Sequence, residues 1–189
     1  MLSEPMDEQN QVYALAALLD DTYTGKVQQI WDVLERECDL KILDIPPYPH
    51  VSFHGASAYH LEELDRQLRE IARRIDVFRI HTTGLGVFTG KNPVVYIPVV
   101  ASMPLLEIHQ LLWDKTSQFG RQVNMLYQPD SWVPHITVLH DEIDADCMDC
   151  IFSHFIETPF AWDIEINRLA VIYRKQGEYG LYQEYPLKQ

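Results

Sequence analysis

Apolar and polar positions along the chain fall into two rhythms. Val12 to Leu19 is a short apolar run closed by Asp20 and Asp21, which predicts a buried strand. From Gly25 to Asp39, residues Val27, Ile30, Trp31, Leu34 and Cys38 recur at three- and four-residue steps, the mark of a helix with one buried face. Pro46, Pro47 and Pro49 keep the backbone extended into a strand from His50 to Gly55. His60 to Ile75 returns to the helical rhythm, with Leu61, Leu64, Leu68, Ile71, Ala72 and Ile75 on one side. Phe78 to Thr83 alternates, Gly84, Gly86 and Gly90 mark bends, and Val94 to Ala101 resumes after Lys91-Asn92-Pro93, so a β-hairpin is expected. Pro104 opens a further helix that Gly120 ends, and a loop follows from Arg121 to Pro134. A strand over His135 to His140, a helix over Asp144 to Glu157, and strands over Ala161 to Tyr173 and Tyr179 to Tyr185 complete the pattern.

The order of elements repeats. His135 follows His50 at nearly the interval by which the Val94 run follows the Val12 run, and each half reads strand, helix, histidine strand, helix, strand. One bilobal α+β domain is expected, with segment 1–11 flexible and duplicated halves near 12–90 and 94–175. Two lobes related by a pseudo-two-fold axis would bring the histidine strands face to face.

Composition narrows the classes. An apolar fraction of 47% suits a folded globular chain. The longest apolar runs fall well short of the roughly 20 residues a membrane span needs. Glu4, Asp7 and Glu8 at the start do not make a secretory leader, so a cytoplasmic protein is expected. The net charge of −13, from 28 acidic and 15 basic residues, disfavours a long polyanion as partner, because such binding draws on phosphate neutralisation. Three cysteines, Cys38, Cys147 and Cys150, are an odd number, and no disulfide framework is expected. Cys147 and Cys150 read as helix-face residues, since a structural zinc would want a second pair.

The chemistry concentrates in two tetrapeptides, His50-Val51-Ser52-Phe53 and His135-Ile136-Thr137-Val138, each led by a proline, Pro49 or Pro134. Strand alternation puts the imidazole and the hydroxyl of each on one face and the apolar pair on the other. Two imidazoles can divide acid and base work at a phosphate. The hydroxyls of Ser52 and Thr137 can donate to its non-bridging oxygens as charge changes there. His54 shares the His50 face by alternation, whereas His140 falls on the face away from His135. His60, His81, His109 and His154 read as surface or helix residues.

These paired motifs resemble the two-histidine phosphoesterase superfamily, which includes the 2′-5′ RNA ligase and cyclic nucleotide phosphodiesterase groups. Trp132-Val133-Pro134-His135-Ile136-Thr137-Val138 looks like the second family motif with its lead-in. Gly84-Leu85-Gly86-Val87-Phe88 followed by Val94-Val95-Tyr96-Ile97 looks like the central hairpin, and Gly180 to Leu187 is similar to the final strand. Ser52 stands where threonine is commoner in the family, which keeps the hydroxyl and loses a methyl. The resemblance, covering Val12 to Leu187, implies antiparallel-rich sheets lining a central cleft with helices outside. It also implies chemistry on 2′,3′-cyclic phosphates without metal or cofactor, with His50 and His135 as acid and base and Ser52 and Thr137 on the phosphate.

Phe88 and Tyr127 offer aromatic faces for a base, against ordinary packing. Tyr96, Arg174 and Tyr182 are cleft candidates by the same resemblance. Arg66, Arg69, Arg73 and Arg74 alternate with acids and read as a solvated helix face. The expected partner is a small nucleotide or an RNA end carrying a cyclic phosphate, bound by a monomer. Reversible 2′-5′ RNA joining and a nucleotide-binding module without turnover are the competing readings. A metallohydrolase built on His50, His54, His135 and His140 fares worst, because alternation directs His140 away from His135.

Overall fold

A computed structural model describes residues 11–42, 45–140 and 143–189 of the chain. Its elements run β1 (Gln11–Leu18), α1 (Asp21–Cys38), β2 (His50–Ala56), β3 (Ala58–Tyr59), α2 (Leu61–Ala72), β4 (Phe78–His81), β5 (Gly86–Phe88) and β6 (Val94–Pro98). They continue through α3 (Met103–Thr116), β7 (Gly120–Arg121), β8 (His135–His140), α4 (Ala145–Phe155), β9 (Asp163–Ile166), β10 (Arg168–Lys175) and β11 (Glu178–Pro186). The flexible segment expected at the start lies outside the described residues except at Gln11, which opens β1.

The fold is α+β with antiparallel sheets, as the pattern of elements implies. Seven strands join in the order β11-β10-β1-β2-β8-β6-β5, and the pairs β3-β7 and β4-β9 stand beside them. Strands from both ends of the chain, β1, β2, β10 and β11, build one wing, the middle strands β5, β6 and β8 build the other, and the wings meet at a single register pair, Val51 opposite Ile136. The expected two sheets are therefore joined edge to edge through the histidine strands. β1 is central and apolar on both faces. Leu15, Ala17 and Leu19 pack into the main core with α1 and α2, while Ala16 and Leu18 pack with Ala170 and Ile172 on the other face.

The helices follow their apolar stripes. α1 begins at Asp21, before the expected Gly25, because the Asp20 carboxylate accepts from the Tyr23 N–H at 2.9 Å and caps the first turn. It buries Val27, Ile30 and Leu34 and stops where Asp39 turns left-handed at φ 51°. α2 buries Leu64, Leu68 and Ile71, and its outer face carries the pairs Arg69–Asp65 at 2.9 Å and Arg74–Glu70 at 2.5 Å. Such exposed pairs are screened by solvent and add little to stability. α3 buries Leu105, His109, Leu112 and Thr116, and α4 buries Ile151 and Phe155. Among the described residues no helix is long and apolar enough to cross a membrane.

Two expectations are corrected here. Phe78 to Thr83 meets the Val94 segment only at its end, where Thr82 bridges Val99 and the His81 carbonyl accepts from Val100 N–H at 2.8 Å, and the inner hairpin is β5 with β6. β4 instead pairs with β9, Ile80 opposite Ile164, because both strands carry an apolar face that neither hairpin arm covers. Cysteine pairing also differs, since Cys38 at the end of α1 is disulfide-bonded to Cys150 on α4 and Cys147 remains a thiol. Counting along the chain could not find this pair, whose members are 112 residues apart and meet only when α1 packs on α4.

In urea unfolding, Asp20→Ala should cost about 1 kcal/mol through the lost cap. Leu34→Ala, at a fully buried position, should cost about 2–5 kcal/mol through the cavity it leaves.

Candidate active site

The geometry of the site begins at the junction of β2 and β8. Val51 and Ile136 are buried and face each other, so the residues on either side of them, His50 with Ser52 and His135 with Thr137, emerge together on the opposite face. Each strand is fixed where it starts, because the carbonyl of Pro49 accepts from Leu19 N–H at 3.1 Å and that of Pro134 from Val99 N–H at 3.0 Å.

Both imidazoles are held the same way. His50 Nδ1 lies 2.6 Å from the Tyr48 carbonyl and His135 Nδ1 lies 2.7 Å from the Val133 carbonyl. A carbonyl only accepts, so each Nδ1 carries its hydrogen and each Nε2 is left for the open side. The proline between acceptor and histidine holds the preceding residue extended, which aims that carbonyl back at the ring. Burial pulls the His50 pKa down to about 4; the Tyr48 carbonyl pulls upward and the neighbouring His135 adds to the fall. Burial also lowers His135, with the Val133 carbonyl opposing.

A cavity of about 300 Å³ opens beside His50, and His135 is represented at its wall by Thr137 on the same strand rather than by its own ring. His50, Ser52, Thr137, Tyr127 and Arg174 all line it, together with Tyr13, Tyr173, Tyr179 and His140. The small side chain of Ala14 on β1 leaves room at its floor. Tyr127 hydrogen-bonds with the Ser52 side chain, and burial pushes the phenol pKa up. The Arg174 guanidinium sits 5.7 Å from the Tyr179 ring centre. Phe88 and Tyr96 stand instead against one flank of His135. They stack at 4.1 Å and meet its ring edge-on at 5.0 Å and 5.3 Å, so they brace that histidine. Gly86 lies opposite Tyr96 across the hairpin, where a Cβ would meet the tyrosine ring at 2.6 Å. Tyr182 is not brought to the cavity. β11 bulges between Gln183 and Leu181, and Tyr182 stands 40% exposed near Tyr185 and Arg69.

The histidine strands depart from simple alternation at matching places. In β2, Leu15 lies opposite His54 and Ala16 opposite Ser52, so Phe53 is an extra residue. In β8, Val95 lies opposite Leu139 and Tyr96 opposite Thr137, so Val138 is extra. Each bulge reverses the faces of the residues after it. This corrects the reading of both neighbouring histidines. His54 turns into the core at 0% exposure rather than sharing the His50 face, and His140 returns to the cavity rather than pointing away. With His54 on the core side, the four histidines of the metallohydrolase reading are split between two faces.

Side chains from the helices serve the bulged backbone. Trp31 Nε1–H of α1 donates to the Val138 carbonyl at 2.9 Å. His109 Nε2–H of α3 is shared between the carbonyls of Phe53 and Tyr127, at 3.0 Å each, and Trp132 Nε1–H reaches the Ser52 carbonyl at 3.0 Å. The His109 and Trp132 rings stack at 3.8 Å. His109 is thus a buried support, not a surface residue, and burial lowers its pKa. Its position one turn after Leu105 and one turn before Leu112 was the available signal. His54 is equally specified. Thr116 Oγ1–H is spent on the Leu112 carbonyl at 2.6 Å, so it accepts from His54 Nε2–H at 2.6 Å, and His54 Nδ1 accepts the Tyr59 hydroxyl at 2.7 Å. The ring is neutral and fully bonded, and burial pulls its pKa down to about 4.

Comparisons with known proteins agree with this architecture. The model of the 2′-5′ RNA ligase superfamily matches residues 20–178. A Bacillus cytotoxicus protein named a phosphoesterase by inference is 24% identical over 137 residues, 69% of this chain and 73% of that protein. TT0787 of Thermus thermophilus superposes with a TM-score of 0.65 at 16% identity, over 94% of this chain and 98% of its own. E. coli LigT in apo form gives 0.62 at 18% identity, over 95% and 99%. LigT is also known in complex with 3′-AMP, with ATP and with phosphate. At these identities the structures show a shared fold.

Trp31→Phe and His109→Phe keep most of the ring packing but strand a buried carbonyl, and each should cost about 1–3 kcal/mol in chemical unfolding. His54 has a folded pKa below its unfolded value of 6.5, so its contribution is present above 6.5 and is lost as pH falls toward about 4. Unfolding free energy should drop across that window by up to about 1.4 kcal/mol per pH unit, and His54→Gln should flatten the drop.

Proposed function

The chain belongs to the 2′-5′ RNA ligase superfamily, and from that premise we propose that it is a cytoplasmic phosphoesterase that opens a 2′,3′-cyclic phosphate by paired-histidine acid–base chemistry. The observation that carries this reading is the matched pair of Nδ1–H···O=C bonds, which leaves two Nε2 atoms on one face of joined strands. One Nε2 accepts the proton of the attacking water. The other, protonated, donates to the ribose oxygen that leaves, and no metal enters the scheme. Ser52 and Thr137 donate hydrogen bonds to the non-bridging oxygens.

The charge coupling of the two rings suits this division. His135 lowers the His50 pKa, so protonating one opposes protonating the other, and the pair works with a single proton. The cavity suits a nucleotide-sized ligand, with Tyr127 and Tyr173 as aromatic walls and Arg174 and His140 facing the anionic groups. The complexes of LigT with 3′-AMP and ATP support that class of ligand, either a free nucleotide, an ADP-ribose cyclic phosphate or a short RNA end. A ribose hydroxyl attacking in place of water would turn the same groups to 2′-5′ joining. Net charge −13 favours the small ligand over a long strand.

A panel of 2′,3′-cyclic nucleotides, ADP-ribose cyclic phosphate and cyclic-phosphate-ended RNA, assayed with EDTA present, tests the reading. His50→Ala and His135→Ala should each lower kcat/KM by about a thousandfold or more, and Ser52→Ala or Thr137→Ala by less. Activity retained in both histidine variants would sink the proposal. Because both histidines titrate below 6.5, the free enzyme loses its acid as pH rises, and kcat/KM should peak on the acid side of neutrality and fall above it.

A further inference from the structure

The last helical stripe that the cavity does not use lies on α4. Cys147, Cys150 and His154 follow one another at steps of three and four residues, so they share a face. α1 brings a third sulfur to it. Cys38 Sγ lies 3.9 Å and Cys150 Sγ 3.7 Å from His154 Nδ1, and the three ligand atoms fall within 4.8 Å of one another. A disulfide needs no imidazole at its side. A tetrahedral zinc does, and with Zn–S near 2.3 Å and Zn–N near 2.0–2.1 Å its sulfur and nitrogen ligands stand about 3.6 Å apart. His154 already occupies that station relative to both sulfurs.

We propose that Cys38, Cys150 and His154 form a binding site for a soft divalent cation, zinc by its ligand chemistry, when the sulfurs are reduced. The disulfide is the oxidised form of the same site. Two thiolates and one imidazole are a donor set that selects zinc over magnesium or calcium. Water fills the fourth position. Cys147 stays outside the cluster, a half-buried thiol whose side chain is engaged with Asp144. His154 Nδ1 lies 3.0 Å from the Cys150 carbonyl, so with its hydrogen on Nδ1 the ring bonds to its own helix. The cation takes the place of that hydrogen, which moves to Nε2 on the solvent side.

The conversion balances with a named reductant. A phosphine attacks the S–S bond and supplies two electrons, becoming its oxide with an oxygen from water. The bond breaks into two thiols. Both thiol protons pass to solvent as the two sulfur–metal bonds form. Reoxidation by a small-molecule disulfide such as oxidised glutathione reverses this, giving two reduced thiols and releasing the cation.

The full chain, reduced with a phosphine and desalted without oxygen, is titrated with Co²⁺ as a visible stand-in for zinc. One equivalent should bind with a sulfur-to-cobalt charge-transfer band, and zinc should bleach it. Cys38→Ser and Cys150→Ser should lose most of the band. His154→Ala, at an exposed position that leaves the fold unchanged by circular dichroism, should weaken binding about tenfold or more. Cys147→Ser should bind as the parent does. No charge-transfer band in the reduced parent, equal affinity in His154→Ala, or loss of binding in Cys147→Ser would each overturn the proposal. None of these readouts depends on phosphoesterase activity, so the two proposals stand or fall separately.

Discussion

Everything at the site depends on one antiparallel contact, Val51 against Ile136. Among the described residues it is the only register pair between β2 and β8, and it fastens two wings into one sheet. Because side chains alternate, burying those two residues forces both histidines and both hydroxyls onto the same opposite face. The orientation of four polar groups is thereby set by the burial of two apolar ones. That is a strong constraint, since slipping either strand by one residue would put imidazoles into the core.

The contact is short because the strands do not stay regular. Phe53 and Val138 are extra residues in their ladders, at equivalent places after the two motifs. A bulged carbonyl loses its partner opposite and must find another donor. Here each is met from a helix that follows a strand of the other wing, α1 after β1 and α3 after β6. Trp31 of α1 serves Val138 of β8, and His109 of α3 serves Phe53 of β2. The helices therefore cross-brace the wings at the points where the strands are weakest.

The same network separates the histidines by task. His54 is buried and bonded at both ring nitrogens, and His109 is buried with Nε2–H shared between two carbonyls, which suits support. His50 and His135 have one nitrogen tied to backbone and the other left on the open side. The rings are alike in chemistry, and only their partners distinguish them. The cysteine cluster on α1 and α4 lies apart from this arrangement and draws on a different contact, the packing of those two helices.

The sequence alone determined the elements, the pairing of the two histidine motifs and the face that each hydroxyl shares with its imidazole. These follow from local periodicity and from the prolines at 49 and 134, and local backbone physics suffices for them. It could not determine that Phe78 to His81 pairs with β9, that His54 is interior, that His140 lines the cavity, or that Cys38 meets Cys150. Periodicity reports which side of an element is apolar, but not which other element covers it. Nor does it report where a strand admits one extra residue. The bulges at Phe53 and Val138 are defined by the registers of β2 on β1 and of β8 on β6, which exist only once the wings are assembled.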